Sequence, residues 1–109
     1  MKTQCTVQLI GYLGQDPVTK IVTNGSLLVR LRLATDYYRR RNDGSLIQKV
    51  NWHNIHAWDR LAEKIPGNYI KGSHVLVQGE IVYRTYVDEH GYKHYITEIR
   101  ADKMLNLDR

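Results

Sequence analysis

The chain of 109 residues carries 16 basic and 11 acidic residues, a formal net charge of +5 with neutral histidines. This length suits one domain, and the positive balance favours a polyanionic partner. No aliphatic run exceeds three residues, which excludes a membrane-spanning segment, and no signal-peptide core follows Met1. The single cysteine, Cys5, excludes an internal disulfide and any multi-cysteine metal site. We therefore expect one soluble, intracellular domain over residues 1–109.

The first segments alternate between apolar and polar residues, which is typical of β-strands. Residues 4–13 place Cys5, Val7 and Leu9 on one face, so we expect Cys5 to be a buried packing residue. Asn24-Gly25 follows as a hairpin signal, because both residues tolerate positive φ. Together these features predict a strand and then a tight turn.

The next strand predicts a basic outer surface. Val29, Leu31 and Leu33 share one face, while Arg30 and Arg32 point to the other. This pattern is typical of a strand that is buried on one side only.

The remaining elements follow from turn and helix signals. Residues 39–45 are polar and are expected to form the tip of a long hairpin that leads into a strand over residues 46–59. Residues 60–64 form the one good helical segment, which Pro66-Gly67 ends. After Lys71-Gly72, a strand around residues 75–83 and a turn at residues 89–91 precede the last strand, residues 92–105.

The tally is five strands with one short helix between the third and the fourth. An all-β chain of this kind is typical of a five-stranded Greek-key barrel, the OB-fold. Periodicity alone does not separate this fold from other small barrels with the same number of strands.

The strand over residues 46–59 carries an unusual aromatic face. Side chains alternate, so one face holds Trp52, Asn54, His56 and Trp58, and the other holds His53, Ile55 and Ala57. Polar residues between two indoles indicate an exposed surface on which nucleobases can stack. The alternative is that both tryptophans fill the barrel core, since tryptophan is usually well buried.

Basic residues are concentrated around the hairpin before this strand. Residues 30–49 contain two acidic residues and six basic ones, which are Arg30, Arg32, Arg39, Arg40, Arg41 and Lys49. Tyr37 and Tyr38 precede the arginine triplet, so rings and cations are interleaved. This arrangement favours a single nucleic-acid strand whose phosphates meet cations while its bases stack. The alternative for the triplet is a solvated loop.

A second cluster pairs Arg84 with Tyr86 on one strand face, again a cation beside a ring. We therefore add Arg84 to the candidate phosphate ligands.

No residue pattern indicates catalysis, a metal or another cofactor. His53 and His56 fall on opposite strand faces, and His90 and His94 have no third ligand nearby. The carboxylates, including Glu98, are scattered, and there is neither a phosphate-binding glycine loop nor a nucleophile elbow. We expect a protein that is not an enzyme and holds no cofactor.

Several segments, taken in order, resemble the bacterial single-stranded-DNA-binding protein family over essentially the whole chain. They include residues 9–17, Asn51-Trp52-His53, Lys71-Gly72-Ser73 and residues 95–99. The resemblance implies an OB-fold, sequence-independent binding of single-stranded DNA in replication, recombination and repair, assembly as a homotetramer, and a nucleoid-associated place in the cytoplasm.

By position, the resemblance implies base stacking on Trp52, Trp58, Tyr86 and either Tyr37 or Tyr38. It implies a place for His53 at the subunit interface. Residues 65–68 replace the rest of the family's helix, which predicts a shorter helix here. The family commonly continues into a linker and an acidic tip that recruits enzymes, whereas this sequence ends at residues 106–109. We therefore expect no linker, no acidic tail and no recruitment of replication and repair enzymes through such a tail.

Two other functions compete with this interpretation. One is an OB-fold assembly factor of a primosome-type complex that binds DNA weakly, which the short length allows and the aromatic face disfavours. The other is a small basic nuclease or RNA-binding barrel. The nuclease lacks catalytic groups, and RNA binding is tested by comparing ribose with deoxyribose oligomers.

Overall fold

The computed structural model describes residues 3–108. Within them the chain forms six strands and one short helix: β1 (Val7–Leu13), β2 (Val18–Ile21), β3 (Leu27–Arg40), β4 (Leu46–Trp58), α1 (Asp59–Glu63), β5 (His74–Val87) and β6 (Lys93–Asn106).

Five of these strands close into a barrel. The order is β1-β5-β6-β4-β3, and β3 returns to β1 through Tyr12 opposite Ala34 and Leu13 opposite Leu33. β4 and β6 run parallel, and the other neighbours are antiparallel. The predicted all-β barrel with one short helix is therefore confirmed.

The sixth strand, β2, was not predicted. It pairs with β3 from Val18 opposite Arg30 to Ile21 opposite Leu27, beside the part of β3 that β1 does not cover. All four of its residues are exposed, so it has no alternation that could have revealed it. The turn between β2 and β3 contains Gly25 at φ 88°, as the Asn24-Gly25 signal predicts.

The barrel core follows the predicted alternation. Val29, Leu31 and Leu33 of β3 are buried, while Arg30 and Arg32 between them are exposed. The same core takes in Ile55, Ala57, Val75, Val77 and Ile99 from the other strands. Because alternate residues point outward, the arginines of β3 lie on the outer surface of a well-packed barrel.

The helix α1 begins and ends one residue earlier than predicted. Ala62 within it and Ile65 just after it are fully buried in the barrel core. The Asp59 carboxylate accepts a hydrogen bond from the backbone N–H of Leu27 at 3.1 Å, which ties the start of the helix to the start of β3. The short helix thus packs on the barrel rather than standing apart from it.

Two long hairpins extend the barrel. In the β3–β4 hairpin, Arg40 lies opposite Leu46 and the turn closes through the Asp43 carboxylate, which accepts bonds from the N–H and hydroxyl of Ser45. In the β5–β6 hairpin, the Asp88 carboxylate accepts bonds from the N–H groups of His90 and Tyr92. We name their mostly exposed ends the β3–β4 arm (residues 36–50) and the β5–β6 arm (residues 83–95).

The expectation of a buried Cys5 is wrong. The cysteine is exposed and lies before the first residue of β1, Val7. Strand alternation therefore does not extend to it, and its phase with Val7 and Leu9 carries no structural meaning.

No helix in residues 3–108 has the length and apolar character needed to cross a membrane.

Candidate nucleic-acid interface

The pairing of β3 with β4 builds one outer face of the barrel. Its rows place Leu28 opposite Trp58, Arg30 opposite His56, Arg32 opposite Asn54 and Ala34 opposite Trp52. The predicted sharing of one face by the two tryptophans is confirmed, because Ile55 and Ala57 between them are fully buried. Trp52 is 49% exposed and Trp58 is partly exposed, so neither ring fills the core.

Trp52 is held by two neighbours. The guanidinium carbon of Arg32 lies 4.9 Å from the centre of the indole, a cation–π contact. On the loop after β1, Gly14 approaches so closely that an added Cβ would lie 2.2 Å from Cζ3 of the ring. Gly14 also donates its N–H to the carbonyl of Arg32 at 2.9 Å. This role of Gly14 was not predicted, since the contact joins a loop to a strand far along the chain.

A buried carboxylate lies near the middle of this face. Glu98 of β6 keeps only 9% of its side chain exposed. Its Oε2 lies 3.0 Å from Nε2 of His56, and its Oε1 lies 3.0 Å from Nε of Arg84. Burial of a carboxylate is costly unless charged or hydrogen-bonding partners compensate it, and both kinds are present here.

No local pattern in the sequence indicates this cluster. Val82 lies opposite Glu98 in the antiparallel pair of β5 and β6, and His56 lies opposite Arg100 in the parallel pair of β4 and β6. The side chains of Glu98, His56 and Arg84 meet only because β6 lies between β4 and β5. From local spacing alone, Glu98 is one of several scattered carboxylates.

The surroundings set the protonation of His56. Burial lowers its pKa below the usual value of 6.5; the Glu98 carboxylate opposes this, while Arg30 and Arg84 add to it. The lowered pKa favours the neutral imidazole. Since a carboxylate only accepts hydrogen bonds, the ring proton of this neutral form resides on Nε2 and is donated to Glu98.

Two adjoining cavities form what we name the central groove. One has a volume of about 340 Å³, with Trp58 and Arg100 in its wall, and the other has about 350 Å³, with Arg32 and Asn54 in its wall. Both are lined by the same four residues, Arg30, His56, Arg84 and Glu98. The groove is thus basic, has a tryptophan at one end, and contains a buried carboxylate between its halves.

The β3–β4 arm carries the remaining predicted phosphate ligands. Arg39, Arg40, Arg41 and Lys49 are all exposed, and Nη1 of Arg40 donates to the carbonyl of Gly44 at 3.1 Å. Tyr37 and Tyr38 are 45% and 55% exposed. Unbroken pairing along β3 places Tyr38 on the face of Arg30 and Arg32, and Tyr37 with Lys49 on the opposite face. Of the two tyrosines left open by the sequence, Tyr38 is therefore the one on the groove side.

The β5–β6 arm carries the last predicted ring. Tyr86, 49% exposed, stacks on His94 of the opposite strand with ring centres 4.8 Å apart and planes 12° apart. Nε2 of His94 lies 2.7 Å from Oδ2 of Asp88, and this contact is the main cause of a lowered Asp88 pKa. Alternation along β5 puts Arg84 on the same face as Tyr86. Across residues 3–108 no cluster of histidine, cysteine or carboxylate side chains is suited to a metal ion.

His53 lies apart from the groove face. It is half-buried, and its Nε2 lies 2.9 Å from the hydroxyl of Thr35. Burial lowers its pKa below 6.5. His53 lies opposite the buried Leu33, so its side chain takes the other strand face from the two tryptophans, in agreement with the alternation predicted for β4.

Comparison with known proteins identifies the family. The model of the Single-strand binding protein family matches residues 5–107. The chain belongs to this family. Among solved structures, the Plasmodium falciparum SSB complex with ssDNA superposes with a TM-score of 0.91 and 31% identity, covering 99% of this chain and 98% of that one. This neighbour agrees with the OB-fold predicted from the strand tally.

Bacterial relatives extend the comparison. A single-stranded DNA-binding protein of Xanthomonas axonopodis pv. citri is 39% identical over 99 residues, which are 90% of this chain and 54% of that protein. One from Bacteroides thetaiotaomicron is 40% identical over 100 residues, 90% of this chain and 62% of that protein. A Thermus aquaticus single-stranded DNA binding protein shares the fold at a TM-score of 0.85 and 24% identity, over 96% of this chain and 51% of that one. The chain thus spans little more than half the length of these two curated relatives.

Proposed function

We propose that this chain binds single-stranded DNA without sequence preference and protects it during replication, recombination and repair. The binding involves no catalytic step, and it takes place in the cytoplasm at the nucleoid. The observation that carries the proposal is the outer face of β3 and β4, where the exposed Trp52 and the partly exposed Trp58 flank Arg30 and Arg32. Membership of the family and the likeness to a neighbour described as a complex with ssDNA support the same conclusion.

Bases stack on four rings in this proposal: Trp52, Trp58, Tyr86 and Tyr38. The two tryptophans lie six residues apart on one strand, which corresponds to about 20 Å. This distance allows several nucleotides between them, in keeping with the roughly 4–16 nucleotides that one OB-fold covers. Stacking is tolerant of sequence because every base presents a π-face.

Phosphates are neutralised by two sets of cations. Arg30, Arg32 and Arg84 line the central groove. The exposed cations of the β3–β4 arm, Arg39, Arg40, Arg41 and Lys49, are distributed over both of its faces, so the DNA strand passes around the arm to meet them all. Each phosphate contact releases condensed counterions, so the affinity falls as the salt concentration rises.

The chain assembles as a homotetramer in this proposal. The outer side of β1, β5 and β6 carries exposed apolar residues that a barrel alone does not use, including Ile10 (51% exposed), Tyr12 (52%) and Leu105 (47%). In addition, residues 7–11 of β1 pair only with β5. Both features suit association with further copies of the chain. His53, beside Thr35, is proposed to contribute to a subunit interface; a mass measurement in solution of the His53→Ala variant tests this.

A direct binding experiment tests the function. Fluorescence anisotropy is measured with labelled oligo-dT, a DNA duplex and a ribose oligomer of the same length. We expect tight binding of oligo-dT, weaker binding of the ribose oligomer and little binding of the duplex. Equal binding of duplex and single strand, or tighter binding of the ribose oligomer, contradicts the proposal.

A further inference from the structure

Glu98 poses an electrostatic problem for a surface that meets a polyanion. Among residues 3–108 it is the one charged side chain that is buried, and it borders both halves of the central groove. A negative charge at this place opposes the phosphates that the surrounding arginines attract. A groove that served only to neutralise phosphates would be better without it.

The contacts of Glu98 indicate what it does there. Its Oε1 accepts from Nε of Arg84 at 3.0 Å, and within residues 3–108 this is the one ion pair of the Arg84 side chain. A guanidinium held through Nε keeps its two terminal amino groups for another acceptor. Arg84 is 57% exposed, so these groups are open to a ligand in the groove.

The second carboxylate oxygen fixes a second groove residue. Oε2 accepts from Nε2 of His56 at 3.0 Å, and His56 keeps 16% of its side chain exposed. His56 lies opposite Arg30 in the β3–β4 pair and two residues before Trp58 on the same face. One carboxylate therefore fixes side chains from two different strands between the positions of the two tryptophans.

We propose that Glu98 is a positioning residue: it holds Arg84 and His56 in place as a subsite for one backbone phosphate, midway between the bases that stack on Trp52 and Trp58. This inference rests on the proposed function. Its physical basis is preorganisation, because an arginine already held in place loses less conformational freedom when it binds.

A positioning role for Glu98 and simple electrostatics predict opposite effects of Glu98→Gln on the affinity for DNA. Glu98→Gln removes a negative charge from the groove, so charge alone predicts tighter binding of DNA. Loss of positioning predicts weaker binding, by a factor of roughly 2 to 13 for one long side chain that must be ordered on binding. The matched control is Glu63→Gln, which removes the same charge from an exposed position on α1.

The experiment is a titration of labelled oligo-dT with the full chain and with four variants: Glu98→Gln, Glu63→Gln, Arg84→Gln and the double variant Glu98→Gln/Arg84→Gln. We expect Glu98→Gln to weaken binding while Glu63→Gln leaves it equal or slightly tighter. The loss caused by Arg84→Gln is expected to be smaller in the Glu98→Gln background, since the two residues act together. Equal or tighter binding by Glu98→Gln, or losses that simply add, overturns the proposal.

Arg84→Lys gives a test that does not disturb the buried carboxylate. It keeps the charge at an exposed position but removes the guanidinium fork, so we expect weaker binding with an unchanged dependence on salt. If Arg84→Lys binds oligo-dT as tightly as the unaltered chain, the positioning role is overturned, even if Glu98→Gln fails to fold. Failure of the proposed function is a separate result, because it shows as absent binding of oligo-dT by the unaltered chain.

Discussion

The indole of Trp52 lies against Gly14, leaving no room for a side chain at the glycine. A Cβ added there would lie 2.2 Å from Cζ3 and 2.6 Å from Cη2, whereas real Cβ atoms essentially never approach another heavy atom closer than 3.0 Å. The orientation of the ring in the proposed interface therefore depends on the absence of a side chain in the loop after β1.

Gly14→Ala is expected to displace the Trp52 ring and to weaken binding of oligo-dT. The loss of binding free energy is expected to approach the contribution of one stacked base, about 1–3 kcal/mol. It is measured by titration of Gly14→Ala, Trp52→Ala and the double variant. If the ring is the cause, Gly14→Ala adds little in the Trp52→Ala background; an equal loss in both backgrounds places the effect elsewhere in the loop.

The arginine triplet of the β3–β4 arm is expected to contribute to the salt dependence. Replacing Arg39, Arg40 and Arg41 by glutamine removes up to three phosphate contacts, so the slope of log affinity against log salt is expected to flatten by up to about 2. Three glutamines at Arg60, Lys64 and Lys71 provide the control, since these exposed cations lie in and after α1, away from the arm. A slope unchanged by the arm variant removes the arm from the binding surface.

Tyr86 and Tyr83 offer a comparison on one strand. Tyr86 shares a face with Arg84, whereas Tyr83 points to the other side and is 76% exposed. Tyr86→Ala is expected to cost about 1–3 kcal/mol of binding, and Tyr83→Ala very little. His94→Ala is expected to have an intermediate effect, because it removes the ring on which Tyr86 stacks. Similar losses for the two tyrosines, read from oligo-dT titrations, argue against a base on Tyr86.

Two histidines are expected to make the fold less stable in acid. Burial lowers the pKa of both His53 and His56 below 6.5 in the folded chain, with Glu98 partly opposing the shift at His56. The unfolded chain therefore binds more protons in this range, and the free energy of unfolding falls as the pH drops through 6.5 and on through the folded pKa values.

Urea unfolding at about pH 7.5 and about pH 5.0, at one protein concentration, measures this effect. The double variant His53→Asn/His56→Gln is expected to lose less stability on acidification than the unaltered chain. A stability of the unaltered chain that stays constant or rises over this interval contradicts the expected sign.

Strand alternation carried most of what could be predicted. The arginines of β3 and the tryptophans of β4 are on the outer surface because each segment alternates over a long, regular strand. The same rule misled at Cys5, which lies outside the strand, and it gave nothing for β2, whose four residues are all exposed. Alternation shows which face a residue takes only where a strand is half-buried.

Contacts between distant segments could not be predicted. The Glu98 cluster depends on β6 lying between β5 and β4, and the Trp52 contact depends on where the loop after β1 passes. Neither follows from local spacing, since both are set by barrel closure. The choice between Tyr37 and Tyr38 also required the unbroken register of β3 with β4.

Quenching of tryptophan fluorescence shows whether bases stack on Trp52 and Trp58. The chain contains only Trp52 and Trp58, so its intrinsic emission reports on the two rings proposed to stack bases. The full chain is titrated with oligo-dT at a low and a high salt concentration, with duplex DNA as the control. If bases stack on these rings, we expect strong quenching by oligo-dT that weakens at high salt, and little quenching by the duplex. Weak binding without quenching would contradict this expectation and would favour an assembly factor that acts through protein partners.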